Sequence, residues 1–96
     1  MNDKGSASVL STPQVDAGDF YFTPTCLTGA NGSITLVIHN SGRILHNFSV
    51  ISQNIDTDIP PGQTVTVKVS VSDKPVPFFC KYHRDAGQQG VLLPGT

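Results

Sequence analysis

The sequence predicts an all-β fold, a sandwich of about seven short strands, and three observations support this. Three segments alternate apolar and polar residues with a period of two, the pattern of strands that bury one face. Val, Ile and Thr, which favour strands, are common. Nine glycines and seven prolines in 96 residues punctuate the chain and indicate turns between strands.

Length and charge narrow the possible functions. A chain of 96 residues fits one domain, residues 1–96. Charged residues make up 14% of the chain and the net charge is −1, so no basic field would attract nucleic acid. No apolar run approaches the roughly 20 residues of a membrane span, and no leader peptide is visible after Met1. We expect a mature or trimmed domain whose leader or membrane tether, if it had one, would not show here.

The first third of the chain gives weaker strand signals. Residues 1–17 are polar and small, and we expect a loosely ordered segment or a first strand near Ser8–Ser11. Phe20–Phe22 begins a strand with Phe20 and Phe22 on one face. The Thr23-Pro24-Thr25 sequence interrupts that strand, which indicates an edge or kinked strand. Asn31-Gly32 then marks a turn.

The remaining strands are clearer. Alternation runs through 33–40, 46–51 and 64–72, with predicted core faces of Ile34, Leu36 and Ile38; of His46, Phe48 and Val50; and of Val65, Val67, Val69 and Val71. Pro60-Pro61-Gly62 is the turn before the third segment. Pro77–Cys80 reads as a strand with Phe78 and Cys80 on one face, and a final short strand covers about Gly90–Leu93.

Two histidines and one cysteine form a candidate metal site. By strand parity His46 and Cys80 both point to the core, so they could meet at one end of the sandwich. His83, on the loop after Cys80, could close the triangle from the solvent side. Two His and one Cys with a weak axial group is the blue-copper pattern. Zinc uses the same residue types and stays an alternative at this point.

Longer motifs surround these residues. They are His46-Asn47-Phe48, a spacing of 33 residues between His46 and Cys80, and the run Phe-Phe-Cys-Lys-Tyr-His-Arg-Asp-Ala-Gly at 78–87. Together with Phe22-Thr23-Pro24 and Asn40-Ser41-Gly42, they resemble cupredoxins of the plastocyanin type from about Gly18 onwards. The resemblance implies a Greek-key sandwich or barrel of seven to eight strands. It also implies one copper per chain and transfer of single electrons.

The axial position departs from the plastocyanin-like pattern. That position, eight residues after Cys80, usually holds Met in such proteins and here holds Gln88. The only Met of the chain is Met1. The site therefore resembles those of stellacyanins, in which an amide oxygen coordinates copper, and we expect a lowered reduction potential. A three-coordinate site, with Gln88 in solvent, and coordination by Gln89 are the alternatives.

The resemblance also suggests roles around the ligands. Asn47 would donate its backbone N–H toward the Cys80 sulfur and tie its side chain to the ligand loop; the alternative is a simple strand cap. Electrons would leave through His83 at an apolar docking patch made of Ile44, Leu45, Ala86 and Gly87. Phe79, facing outward, would offer a second route.

Two further residues are expected outside the site. His39 lies on the face opposite the core and is predicted to be a surface histidine. Cys26 is predicted to be a buried or half-buried free thiol, with an exposed, dimer-forming thiol as the alternative. A disulfide between Cys26 and Cys80 is disfavoured because a thiolate ligand cannot also form a disulfide.

Rival functions differ in their sequence requirements. Enzymes with several coppers need further His-rich motifs, which this chain lacks, so we predict a protein that is not an enzyme. A periplasmic copper storage or delivery protein, and a domain cut from a larger membrane-anchored protein, are the alternatives. We expect a periplasmic or extracellular monomer that binds its redox partner transiently. Any membrane tether would belong to a longer form of the protein.

Overall fold

The computed structural model describes residues 1–10 and 14–95. These residues form ten strands and no α-helix, so the all-β prediction is confirmed. The strands are β1 (Ser6–Ser8), β2 (Gln14–Gly18), β3 (Tyr21–Thr23), β4 (Cys26–Ala30), β5 (Gly32–Asn40), β6 (His46–Val50), β7 (Ile55–Ile59), β8 (Thr64–Val71), β9 (Val76–Phe79) and β10 (Gln89–Pro94). Two 3-10 turns cover Ile51–Gln53 and Arg84–Ala86. Within the described ranges, no helix has the length and apolar character that crossing a membrane requires.

The strands form two sheets. The larger has the order β1-β4-β10-β9-β6-β7 and the smaller β3-β2-β5-β8. Strand β4 runs parallel to β1 and β10, and β2 runs parallel to β5, whereas the other pairs are antiparallel. Because β6 and β9 are antiparallel neighbours, the start of β6 and the end of β9 lie at the same end of the sandwich.

Three phenylalanines join the two sheets. Phe22 lies 6.1 Å from Phe48 and 5.2 Å from Phe78 between ring centroids, and Phe48 lies 5.0 Å from Phe78. These separations fall in the range of favourable aromatic pairs. Phe48 and Phe78 each lie two residues from a predicted ligand on the same strand face. The aromatic core therefore packs directly beneath the predicted site.

The alternating segments become strands as predicted. Strands β5 and β8 pair along eight positions, from Gly32 opposite Val71 to His39 opposite Thr64, and their apolar faces are buried or half-buried. The turn at Pro60–Gly62 is closed by a hydrogen bond from the Gln63 N–H to the Pro60 carbonyl at 3.0 Å. Gly62 adopts a φ of +79° there, which glycine tolerates without strain.

Three strands were not predicted, namely β2, β4 and β7. Strand β7 reads Ile-Asp-Thr-Asp-Ile and has only one buried residue, Ile59, so it lacks a strong apolar face. The predicted first strand at Ser8–Ser11 is shifted: β1 covers Ser6–Ser8, Val9 and Leu10 form a turn, and Ser11 lies outside the described residues. The segment 1–17 therefore contributes β1 and most of β2.

The prediction that Phe20 shares a strand face with Phe22 is wrong. Gly18 pairs with Tyr21, so Asp19 and Phe20 are the two residues of a hairpin turn between β2 and β3. The Phe20 side chain is 37% exposed, whereas Phe22 is fully buried. A turn residue does not follow the alternation of the strand beyond it, and this position places Phe20 at the metal end.

Candidate metal centre

His46, Cys80 and His83 come together at one end of the sandwich. Each offers one ligand atom, and these atoms all lie within 4.8 Å of one another. His46 is the first residue of β6, Cys80 directly follows β9, and His83 precedes the 3-10 turn. His46 and Cys80 are fully buried, and His83 is half-buried. The Cys80 Sγ atom lies 3.4 Å from His83 Nδ1.

The loop between the ligands is tightly hydrogen bonded. The His83 N–H donates to the Cys80 carbonyl at 3.1 Å, and the Ala86 N–H donates to the His83 carbonyl at 3.0 Å. The loop then turns at Gly87, whose φ of +95° suits glycine. This fold of the backbone brings the His83 ring back over the Cys80 sulfur.

The two ring nitrogens of His46 have different surroundings. Nε2 lies 2.6 Å from Asp19 Oδ1, while Nδ1 is buried with no hydrogen-bond partner. Buried polar atoms are normally paired, so a bare Nδ1 among thiol and imidazole groups indicates a place for a metal. The hydrogen bond from His46, and then that from the Arg43 N–H, lower the pKa of Asp19 below its ordinary range.

Gln88, like His46, has one hydrogen-bonded polar atom and one buried polar atom without a partner. Its side chain is fully buried, and Nε2 donates to the carbonyls of Gly18 at 2.9 Å and Tyr21 at 3.0 Å. Its Oε1 is buried without a partner. Among the side chains of the described residues, only this oxygen and His46 Nδ1 are buried nitrogen or oxygen atoms in that state.

The Gln88 backbone adjoins the ligand loop. The Cys80 N–H donates to the Gln88 carbonyl at 3.1 Å, and the Gln88 N–H donates to the His83 carbonyl at 3.2 Å. Gln89 differs, because it is half-buried and its amide donates to the Arg84 carbonyl at 3.3 Å. Of the two glutamines, Gln88 is the one with an unused buried oxygen.

Asn47 is buried on the opposite face of β6. Its Oδ1 accepts hydrogen bonds from the Lys81 N–H at 3.3 Å and from the Ser49 hydroxyl. Its Nδ2 donates to Asp56 Oδ1 at 2.8 Å and to Asp58 Oδ1 at 2.9 Å. The side chain thus links β6 and β7 to the residue after Cys80.

Sequence reasoning missed Asp19, Phe20, Asp56 and Asp58 as parts of the site. The alternating acids of β7 offered a signal for the last two, since both face the Asn47 amide in the β6–β7 pairing. Their pKa values are lowered first by the Asn47 hydrogen bonds, then by Lys81 for Asp56 and by Tyr82 for Asp58. Asp19 and Phe20 gave no comparable signal.

The Phe20 side chain lies beside His83, and two apolar residues just before His46 in the chain are partly exposed. The Phe20 ring lies 4.7 Å from the His83 ring and 6.3 Å from the His46 ring between centroids. Ile44 and Leu45 are 40% and 39% exposed. At the other side, Asn2 donates to the carbonyls of Ala86 and Phe20 and lies against Gly87. Gly87 is therefore half-buried and less open than the docking-patch prediction supposed.

The remaining predicted residues are not members of the His46, Cys80 and His83 cluster. Phe79 is half-buried, with the Arg84 guanidinium 4.4 Å from its ring centroid. His39 Nδ1 lies 2.9 Å from Thr64 Oγ1 and is not part of the metal-ligand cluster that the described residues form. Cys26 is a half-buried free thiol, and Cys80 is free as well, so no disulfide joins them.

Several solved structures share this fold. Auracyanin A from Chloroflexus aurantiacus, a "blue" copper protein, superposes with a TM-score of 0.69 at 17% identity, covering 94% of this chain and 99% of that one. Plastocyanin from Dryopteris crassirhizoma gives 0.67 at 22%, covering 84% and 98%. A purple cupredoxin from Nitrosopumilus maritimus gives 0.65 at 12%, covering 84% and 97%.

A search of curated proteins returned no match. The family described as Cupredoxin-like domain matches residues 3–93, which is nearly the whole chain and includes His46, Cys80 and His83. The chain therefore belongs to the cupredoxin-like family.

Proposed function

We propose that this protein carries single electrons by means of one type 1 copper ion. The ligands are His46 Nδ1, Cys80 Sγ and His83 Nδ1, with the Gln88 amide oxygen as a weak axial ligand. The observation that supports this best is the pair of buried, unpartnered atoms, His46 Nδ1 and Gln88 Oε1. Both belong to residues that contact or adjoin the thiol and imidazole of Cys80 and His83.

The donor set favours copper over zinc. Two imidazoles and one thiolate with a weak oxygen donor are typical of blue-copper electron-transfer sites. Structural zinc sites use four strong Cys or His ligands, and this cluster offers three such groups. Bound copper would supply the Cu(I)/Cu(II) couple, and the residues described next determine how that couple behaves.

The protein holds the donors in place from outside the site. Asp19 fixes the His46 ring through Nε2, and two backbone carbonyls fix the Gln88 amide through Nε2. Hydrogen bonds that orient ligands in this way are a general feature of metal sites. Donors held this firmly need little rearrangement between oxidation states, which favours fast electron transfer.

The axial amide should lower the reduction potential. An amide oxygen is a harder donor than a thioether and so favours Cu(II), and axial ligation is one of the main controls on potential. We therefore expect the potential to lie below that of the same site with an axial methionine.

Electrons would enter and leave at the exposed edge of His83. Phe20, Ile44, Leu45 and Ala86 would form a small uncharged patch there, where Phe20 and Leu45 are 37% and 39% exposed, with the Asp19 carboxylate, 30% exposed, close by. A small uncharged patch suits brief docking with a redox protein, since electron-transfer interfaces are small and weak. Phe79, beneath Arg84, is a second candidate route.

We further propose a single domain over residues 1–96 that acts as a monomer outside the cytoplasm. Copper storage or delivery is the alternative. A carrier that releases its metal needs ligands that can move, whereas His46, Cys80 and Gln88 are fully buried and hydrogen bonded. This burial favours a resident copper ion.

Voltammetry of the copper-loaded protein tests the proposal. We expect a reversible one-electron wave from one copper per chain, and retention of the copper through repeated cycles. The Cys80→Ser variant should lose the wave. Release of copper on each reduction would favour the storage alternative, and the absence of any wave would contradict electron transfer.

A further inference from the structure

Asp19 is the one acidic residue in direct contact with a proposed copper ligand among the described residues. Its Oδ1 atom lies 2.6 Å from His46 Nε2, and its side chain is 30% exposed to solvent. The residue belongs to the two-residue turn between β2 and β3, outside the ligand loop. The motifs of the sequence did not assign it any role.

The carboxylate is held on both sides. Its Oδ2 accepts the Arg43 backbone N–H at 3.1 Å, which leaves Oδ1 to face His46. Gly42 faces both groups. A β-carbon at this position would overlap Asp19 Oδ1 and lie 2.8 Å from His46 Nε2. The absence of a side chain at Gly42 is therefore what allows carboxylate and imidazole to approach. Gly42 is itself positioned by the Asn40 side chain, which accepts the Gly42 N–H at 2.8 Å.

We propose that Asp19 is a positioning and tuning residue of the metal centre: it holds the His46 proton on Nε2, presents Nδ1 as a bare donor, and lowers the reduction potential. This inference rests on the proposed copper function. It adds a residue outside the ligand set and the ligand loop that controls the same site.

The physical basis is the charge on the acceptor. A carboxylate that accepts from the outer nitrogen of a ligating histidine fixes the tautomer and makes the ligand more basic. A more basic imidazole stabilises Cu(II) more than Cu(I). Loss of such an outer partner typically costs about 10- to 100-fold in metal affinity. If the loss falls tenfold more heavily on Cu(II), the potential rises by about 59 mV for one electron.

The tautomer can be tested in the metal-free protein. Nitrogen-15 NMR of the His46 ring at neutral pH should show a protonated Nε2 and an unprotonated Nδ1. The Asp19→Asn variant should show a mixture of tautomers or a weaker Nε2–H hydrogen bond. A metal-free parent protein with the proton on Nδ1 would overturn the proposal, whether or not the protein binds copper.

The potential is tested by three variants loaded with copper. Asp19→Asn should lower the ratio of the Cu(II) affinity to the Cu(I) affinity by about tenfold. The reduction potential should therefore rise. Asp85→Asn removes the same charge from the ligand loop, where Asp85 is exposed, and should shift it far less. Gly42→Ala keeps the charge but displaces the carboxylate, so it should shift the potential in the same direction as Asp19→Asn.

The double variant that combines Asp19→Asn with Gly42→Ala tests whether the two changes act on the same contact or independently. If both changes act on one hydrogen bond, combining them should add little to either alone. Equal shifts from Asp19→Asn and Asp85→Asn, or no shift from Asp19→Asn, would overturn the tuning role. Failure of the parent protein to bind copper at all would instead count against the proposed function, and the metal-free NMR result would stand by itself.

Discussion

The side-chain oxygen of Asn47 accepts a hydrogen bond from the Lys81 backbone N–H, 3.3 Å away. One buried amide therefore connects the residue after His46 to the residue after Cys80. The same amide donates to two carboxylates of β7. The Asn47 side chain thus joins β6, which begins at His46, to the loop that begins at Cys80.

Removing this amide should destabilise the protein. In Asn47→Ala, the Asp56 and Asp58 carboxylates lose a donor and the Lys81 N–H loses its acceptor. The two hydrogen bonds that the buried Asn47 oxygen accepts contribute about 0.5–1.5 kcal/mol each, so we expect the free energy of unfolding to fall by about 2 kcal/mol. Urea denaturation of the metal-free protein measures this. Ser49→Ala removes one neutral partner of the same amide and should cost about 1 kcal/mol. Equal losses in the two variants would contradict the account.

The same network makes stability depend on acid pH. The Asn47 hydrogen bonds lower the pKa of Asp56 and Asp58 below 3.8 in the folded protein, so the unfolded chain binds protons more readily. Their contribution is present above about pH 3.8 and is lost as the pH falls below this value through the folded pKa values. As the pH is lowered through this range, the urea concentration at the unfolding midpoint should decrease more steeply in the parent protein than in the double variant Asp56→Asn, Asp58→Asn. Parallel curves would show that these carboxylates contribute nothing.

The sequence predicted most of the fold because the central strands alternate strongly. Strands β5, β6 and β8 match the predicted segments within one or two residues. Strand β7 escaped prediction because its exposed acids and single buried residue, Ile59, give no apolar stripe. Phe20 was misplaced because a two-residue turn breaks the parity that its aromatic neighbours suggest.

The family implied by the resemblance is confirmed by the family match, and the three predicted metal ligands His46, Cys80 and His83 do come together in one cluster. The partners of those ligands could not be predicted. The contact between Asp19 and His46 joins residues 27 positions apart, and it depends on a turn and on a glycine in another loop. Such contacts follow from the packing of loops, which no local pattern records. Axial coordination by Gln88 stays a prediction.

Replacing Gln88 tests that axial role. Gln88→Met exchanges a hard oxygen donor for a softer thioether sulfur, which should raise the reduction potential. Gln89→Met is the matched control, because Gln89 is half-buried and bonds the Arg84 carbonyl. Voltammetry should show a rise for the first variant and little change for the second. A rise in the Gln89 variant alone would move the axial assignment by one residue.

A charge at the exposed end should slow electron exchange between two copies of the protein. In Leu45→Glu, two such ends would meet with like charges, which costs several kcal/mol in a close encounter, so we expect exchange to slow by about tenfold or more. Ile51→Glu is the control, since Ile51 is 70% exposed but follows the far end of β6. NMR line broadening in mixtures of Cu(I) and Cu(II) protein gives the rates. Equal slowing in both variants would place the contact elsewhere.

The most direct test of the central claim is the absorption spectrum, with EPR, of the metal-free protein as Cu(II) is added. We predict an intense visible thiolate-to-copper band that saturates at one copper per chain. Cys26→Ser should keep the band, because Cys26 lies outside the metal cluster, and Cys80→Ser should abolish it. A colourless product, or a band that survives in Cys80→Ser, would contradict a copper centre built on Cys80.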